Sequence, residues 1–127
     1  MTRARFVTVI NCMDGRTQLV VNEWMRRRYE ADHVDTITEP GPDGILATGV
    51  DSVATDSIRR RVAVSVEEHG SRVVGIVGHH DCAGNPVDKV THLRQLEAAA
   101  AAIRAWGFFT DVVCLWVNEN WQVEPLV

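Results

Sequence analysis

The stretch "VGIVGHHDCAGN", Val74 to Asn85, decides how this chain is read. Its first half belongs to a short apolar, β-branched run, Arg72 to Val77, which reads as a buried strand. The second half delivers two histidines, an aspartate and a cysteine where that strand ends. "VINCMDGR", Val9 to Arg16, does the same near the start of the chain. There a strand from Phe6 to Ile10 empties into Cys12, Asp14 and Arg16. If the two strands are neighbours, their chemistry meets at one end of a sheet.

Working outward, the pattern alternates. Gln18 to Tyr29 carries Leu19, Val20, Trp24 and Met25 at helical spacing. Val34 to Thr38 is a second short strand. It closes on "EPGPDG", Glu39 to Gly44, whose two prolines and two glycines predict a loop. Asp51 or Ser52 caps a helix running to His69, with Val53, Ile58, Val62 and Val66 facing inward and Gly70 ending it. Asn85-Pro86 breaks the chain before an alanine-rich helix from Val87 to Trp106, which Gly107 stops. Asp111 to Val117 is the fourth strand. A turn at Asn118 to Asn120 then allows a short antiparallel edge strand.

Strand and helix in strict alternation predict an α/β fold: three layers, αβα, around a mostly parallel sheet. Ligands of such sheets collect beyond the C-terminal strand ends, where the strand order reverses. With strands one and three adjacent and strand two outside strand one, that point lies where Cys12 and the His79–Cys82 loop emerge.

The bulk composition fits a single domain over residues 1–127. Hydrophobic residues make up 46% and charged residues 24% of the 127, the balance of an ordinary globule. A formal net charge of -4 argues against a nucleic-acid surface. The runs Arg26–Arg28 and Arg59–Arg61 read as solvated helix faces. No stretch has the length of a membrane span, and the N-terminus lacks the pattern of a signal peptide. The expected location is cytoplasmic, where cysteines stay reduced and serve metals or catalysis.

Two thiolates and an imidazole, Cys12, Cys82 and His79, make three ligands of a tetrahedral zinc site, with the fourth position left to water. Zinc brings the pKa of such a water to about 7 in favourable sites. Asp14 is placed to accept a hydrogen bond from the zinc-bound hydroxide, and Arg16 to pair with Asp14 through its planar fork. Cys114, mid-strand in "DVVCLWV", reads as core. His80 reads either as a proton relay or as a partner for loop backbone. His33, His69 and His92 read as surface, and the four tryptophans as core or subunit interface. Rival chemistries lack their spacing. A C-x5-R phosphatase loop would need arginine where Gln18 stands, and neither a phosphate-binding glycine loop nor a C-x-x-C pair is present.

In "CMDGR" and "HHDC" the sequence resembles the β-class carbonic anhydrases, which carry C-x-D-[small]-R after the first strand and H-x-x-C after the third. The resemblance implies sheet order 2-1-3-4 with an added antiparallel strand. It implies Zn2+ held by Cys12, His79 and Cys82, and an Asp14–Arg16 dyad. It further implies reversible hydration of carbon dioxide to bicarbonate in a homodimer or higher homo-oligomer. Two other expectations stand beside it: hydrolysis of an analogue such as carbonyl sulfide or carbon disulfide, and a non-catalytic zinc-binding interaction protein on the same scaffold.

Overall fold

The computed structural model describes residues 3–126. Among the described residues five strands and four helices follow one another in this order: β1 (Phe6–Cys12), α1 (Gly15–Arg28), β2 (His33–Glu39), α2 (Pro42–Thr48), α3 (Ser52–His69), β3 (Val73–His79), α4 (Lys89–Ala105), β4 (Asp111–Val117) and β5 (Val123–Leu126). The strands form one sheet in the order β2-β1-β3-β4-β5. β1 pairs in parallel with β2 and β3, β3 pairs in parallel with β4, and β5 returns antiparallel to β4. The mostly parallel sheet and its order are those expected from the sequence, including the terminal hairpin.

The central strands show why the sheet is buried on both sides. Every residue of β3 is buried, and so is all of β1 after Phe6. Alternate residues feed two cores. On one face Ile10, Ile37, Val74 and Ile76 pack under Leu46 of α2, Ile58 and Val62 of α3, and Leu96 and Ile103 of α4. On the other face Val7, Val9, Val77, Leu115 and Val117 pack under Val21 and Met25 of α1. Each fully buried Val, Leu or Ile contributes about 1.5–3 kcal/mol, so these clusters set which face each strand residue takes.

Local signals set the helix ends. Asp51 accepts a hydrogen bond from the Ala54 amide at 3.0 Å, and Asp88 accepts one from Thr91 at 2.8 Å. Gly70, at φ +70°, closes α3 in the left-handed conformation that glycine adopts without strain.

Three expectations change. The loop read into Glu39–Gly44 turns out to hold the start of a helix. Gly41 (φ +63°) reverses the chain, and Pro42 occupies the first helical turn, where a missing N–H is no loss. Val53 points outward at 81% exposed and Leu19 at 84%, whereas Thr17, Val21 and Met25 are the buried side of α1. His92 is buried rather than on the surface. Its Nδ1 lies 2.6 Å from Oδ2 of Asp43, and both side chains are 1% exposed. His69 is half-buried, stacked on Phe6 and bonded to Asp35, while His33 is exposed. Cys114 is partly buried against the core and donates to the Leu96 carbonyl.

Candidate metal centre

β1 and β3 are neighbours, and both end at the same edge of the sheet. Cys12 is the last residue of β1 and His79 the last of β3, while Cys82 follows in the loop. One donor atom from each lies within 4.8 Å of the others, and all three residues are buried. The Cys12 and Cys82 sulfurs are 3.9 Å apart. Two thiolates each ~2.3 Å from one tetrahedral ion stand about 3.8 Å apart, so the spacing suits zinc.

The histidine is prepared in the same way. Its Nδ1 donates to the His80 carbonyl at 2.7 Å, which fixes the tautomer and leaves Nε2 as the bare lone pair. Nε2 is buried and has no hydrogen-bond partner among the described residues. An orphaned buried nitrogen facing two sulfurs is a donor set that a cation fits.

The charge balance points the same way. The Cys12 thiol falls to about 4, first because the Cys82 thiol hydrogen-bonds to it, with further help from His79 and the backbone at Gly41 and Asp14. Cys82 is pushed up, because it faces that thiolate and is desolvated. Burial works against a charged His79, yet Cys12, the His80 carbonyl and Asp14 together outweigh it and raise its pKa. The negative charge that favours Cys12 as thiolate is thus what His79 and Cys82 face.

Asp14 caps α1 and accepts from the Arg16 amide at 2.9 Å. The Arg16 guanidinium grips the same carboxylate with two prongs, Nη2 to Oδ2 at 2.7 Å and Nε to Oδ1 at 3.1 Å. Those hydrogen bonds hold Asp14 down at about 2, so it is ionised at any ordinary pH. Its Oδ2 lies 4.0 Å from Nε2 of His79, beside the cluster. His80 is exposed, and its amide donates to the Val117 carbonyl.

Cys12, His79 and Cys82 are thus brought together at one end of the sheet, with Asp14 and Arg16 beside them. A family profile described as "Putative carbonic anhydrase" matches residues 2–127. The chain belongs to that family.

Solved structures agree on the fold. β-Carbonic anhydrase isoform I of the protozoan Trichomonas vaginalis superposes with a TM-score of 0.63 at 15% identity, covering 98% of this chain and 84% of that one. One of two tetrameric β-carbonic anhydrases of the ascomycete Sordaria macrospora gives 0.52 at 12% identity, with 98% and 82% covered. The β-carbonic anhydrase of the fungal pathogen Aspergillus fumigatus gives 0.50 at 13%, with 98% and 76% covered. No curated protein sequence matches.

Around this carbonic anhydrase-like site the structure adds residues that the motifs did not single out. Asp81, inside the "HHDC" turn, meets Arg16 through both its carboxylate (3.2 Å) and its carbonyl (3.1 Å). Trp121 lies under the Arg16 guanidinium, 4.4 Å from ring centre to carbon. Asn85, three places past Cys82, donates to Asp43 at 3.0 Å and to Gln95 at 2.6 Å, tying the metal loop to α2 and α4. Asp81 was findable, since it sits between the motif residues. Trp121 reaches the site only because the β4–β5 hairpin folds back, a placement without a local signal.

Proposed function

We propose that this protein is a zinc-dependent carbonic anhydrase that interconverts carbon dioxide and bicarbonate. The observation that carries the reading is the convergence of two thiol sulfurs and one orphaned imidazole nitrogen, with an arginine-clamped carboxylate at its side. Cys12, His79 and Cys82 would hold the ion. Zinc, when bound, supplies Lewis acidity that makes a water nucleophilic near neutral pH.

The chain's own residues do the rest. Two thiolates offset the charge of a dication and leave a nearly neutral centre in a buried setting. Asp14, kept ionised by Arg16, can act only as a hydrogen-bond acceptor, and so it orients the donor it meets and selects which lone pair faces the substrate. Arg16 keeps that carboxylate fixed in direction, with its own pKa raised by Asp14 first and Asp81 next. A proton must leave at each hydration, and exposed His80 is the nearest imidazole to the His79 ligand along the chain.

The same reading makes the protein a cytoplasmic homo-oligomer. The Sordaria macrospora relatives are tetrameric, and Leu19, Val50 and Val53 leave apolar surface exposed here. No helix among the described residues is long and apolar enough to cross a membrane. The test is metal analysis of the purified protein paired with stopped-flow carbon dioxide hydration at pH 7 and 9. One zinc per chain and turnover that rises with pH are the expected results. Stoichiometric zinc with no hydration, but with hydrolysis of carbonyl sulfide or carbon disulfide, would move the substrate. Zinc without any turnover would leave a binding protein.

A further inference from the structure

Arg16 is too exposed for a clamp that must hold one orientation: its side chain is 46% accessible. An exposed arginine–carboxylate pair is ordinarily a loose one, weakened by solvent and by the entropy of a long side chain. Here the guanidinium is enclosed from three sides. Asp14 takes two prongs, Asp81 takes a third nitrogen at 3.2 Å, and the Trp121 indole lies beneath the plane at 4.4 Å. A cation held over an indole face gains electrostatic attraction and a flat surface to rest on.

Both outer partners sit in an unusual backbone. Asp81 has φ +58° and Trp121 φ +57°, in the left-handed region that side chains other than glycine rarely take. Such strain persists only where the surroundings over-determine it. For Trp121 those surroundings are visible: its amide donates to the Asn118 carbonyl at 2.9 Å, and the buried Asn118 side chain receives the amides of Asn120 and Gln122. The hairpin between β4 and β5 is thus built to present one indole to one guanidinium.

We propose that Trp121 is a positioning residue of the active site, holding Arg16 in the orientation in which it clamps Asp14. The proposal rests on the carbonic anhydrase reading for its effect on turnover, but not for the clasp itself. The Trp121 ring also stands 6.2 Å from that of His79 and 6.3 Å from that of His80, centre to centre, and the action proposed for it is through Arg16.

Two measurements on zinc-loaded protein test it. In the 15N–1H spectrum the Arg16 Nε–H, bonded to Asp14 at 3.1 Å, gives a sharp resonance protected from solvent exchange. Trp121→Ala frees the guanidinium and broadens that resonance by exchange, while Trp121→Phe keeps it sharp. In hydration assays Trp121→Ala lowers kcat about tenfold, with unchanged zinc content, and Trp121→Phe recovers most of that loss. In an Arg16→Ala background Trp121→Ala costs nothing further, because the group it positions is gone. An Arg16 Nε–H resonance as sharp and as slow to exchange in Trp121→Ala as in the wild type would overturn the proposal, and so would a tenfold loss that persists without Arg16. If the wild-type protein hydrates no carbon dioxide, the proposed function falls while the resonance still decides the clasp.

Discussion

Asp43 and His92 meet inside the protein, carboxyl Oδ2 to imidazole Nδ1 at 2.6 Å, each 1% exposed. The other carboxyl oxygen accepts from Asn85 at 3.0 Å and from the Gly44 amide at 2.9 Å. One buried carboxyl thus joins α2, α4 and the loop that follows Cys82. Replacing it by alanine strands the buried imidazole without a partner and leaves the half-buried Asn85 amide with Gln95 alone. We expect Asp43→Ala to lose about 3 kcal/mol of stability, the scale for leaving buried polar partners unmade. Urea denaturation measures this. Zinc should also leave faster, read by transfer to a chromogenic chelator, because the Cys82 loop loses its tether.

The Asp14–Arg16 fork makes a prediction about pH. Asp14 is lowered to about 2, chiefly by the Arg16 side chain, from an ordinary value of about 3.9. A depressed carboxylate stabilises the fold above its unfolded pKa, and that contribution fades as pH falls through the folded value. The window is therefore about pH 4 down to 2, well below neutrality. Carbon-13 detection of the Asp14 carboxyl should show its midpoint near 2 in the wild type and shifted upward in Arg16→Ala. An unchanged midpoint would refute the clamp. At working pH, Asp14→Ala should keep its zinc and lose about 100-fold or more in kcat, the scale for a positioned proton-handling group.

Cys12 and Cys82 face each other at 3.9 Å, yet they are not equivalent. The Cys82 thiol, His79 and nearby backbone amides draw the Cys12 pKa down, while facing Cys12 pushes that of Cys82 up, so the metal-free pair is expected to lose its first proton from Cys12. After chelation and brief alkylation, mass spectrometry should find Cys12 modified ahead of Cys82, burial slowing both. Zinc loading should protect the two together. Cys82→Ala leaves one sulfur and one nitrogen, too few to hold zinc through dialysis. Equal alkylation of the two cysteines would contradict the asymmetry.

Much of this is legible in the sequence because the strands are β-branched runs and glycines, Gly70 and Gly107, mark the ends of α3 and α4. Ile10 and Ile76 fall on one face, and Val9 and Val77 on the other, through simple alternation. The meeting of Cys12, His79 and Cys82 is legible too, since parallel neighbours must end at the same sheet edge. What escapes the sequence has a common cause. Pro42 reads as a breaker until Gly41 is seen to set it at the first turn of α2, so Asp43 is lost into a loop. His92, whose burial depends on Asp43, then looks like a surface histidine. Trp121 escapes because its position comes from a left-handed turn at a non-glycine residue.

Gly78, one residue before His79, packs directly against the Asp43–His92 pair. It is not there for backbone freedom; a Cβ added to it would sit 2.6 Å from Oδ2 of Asp43 and 3.4 Å from Nδ1 of His92. Gly78→Ala should therefore push the carboxyl off the imidazole or displace the end of β3, at about 1–3 kcal/mol for overpacking. Gly15 supplies the contrast, since nothing lies within 4 Å of a Cβ built there, and it occupies the first position of α1. Gly15→Ala should leave stability unchanged or raise it by up to about 1 kcal/mol, the helix preference of alanine over glycine. Thermal melts of the two variants measured side by side decide it. A Gly78→Ala protein as stable as wild type would mean that α2 and β3 do not pack this closely, and that Asp43 is free to leave His92.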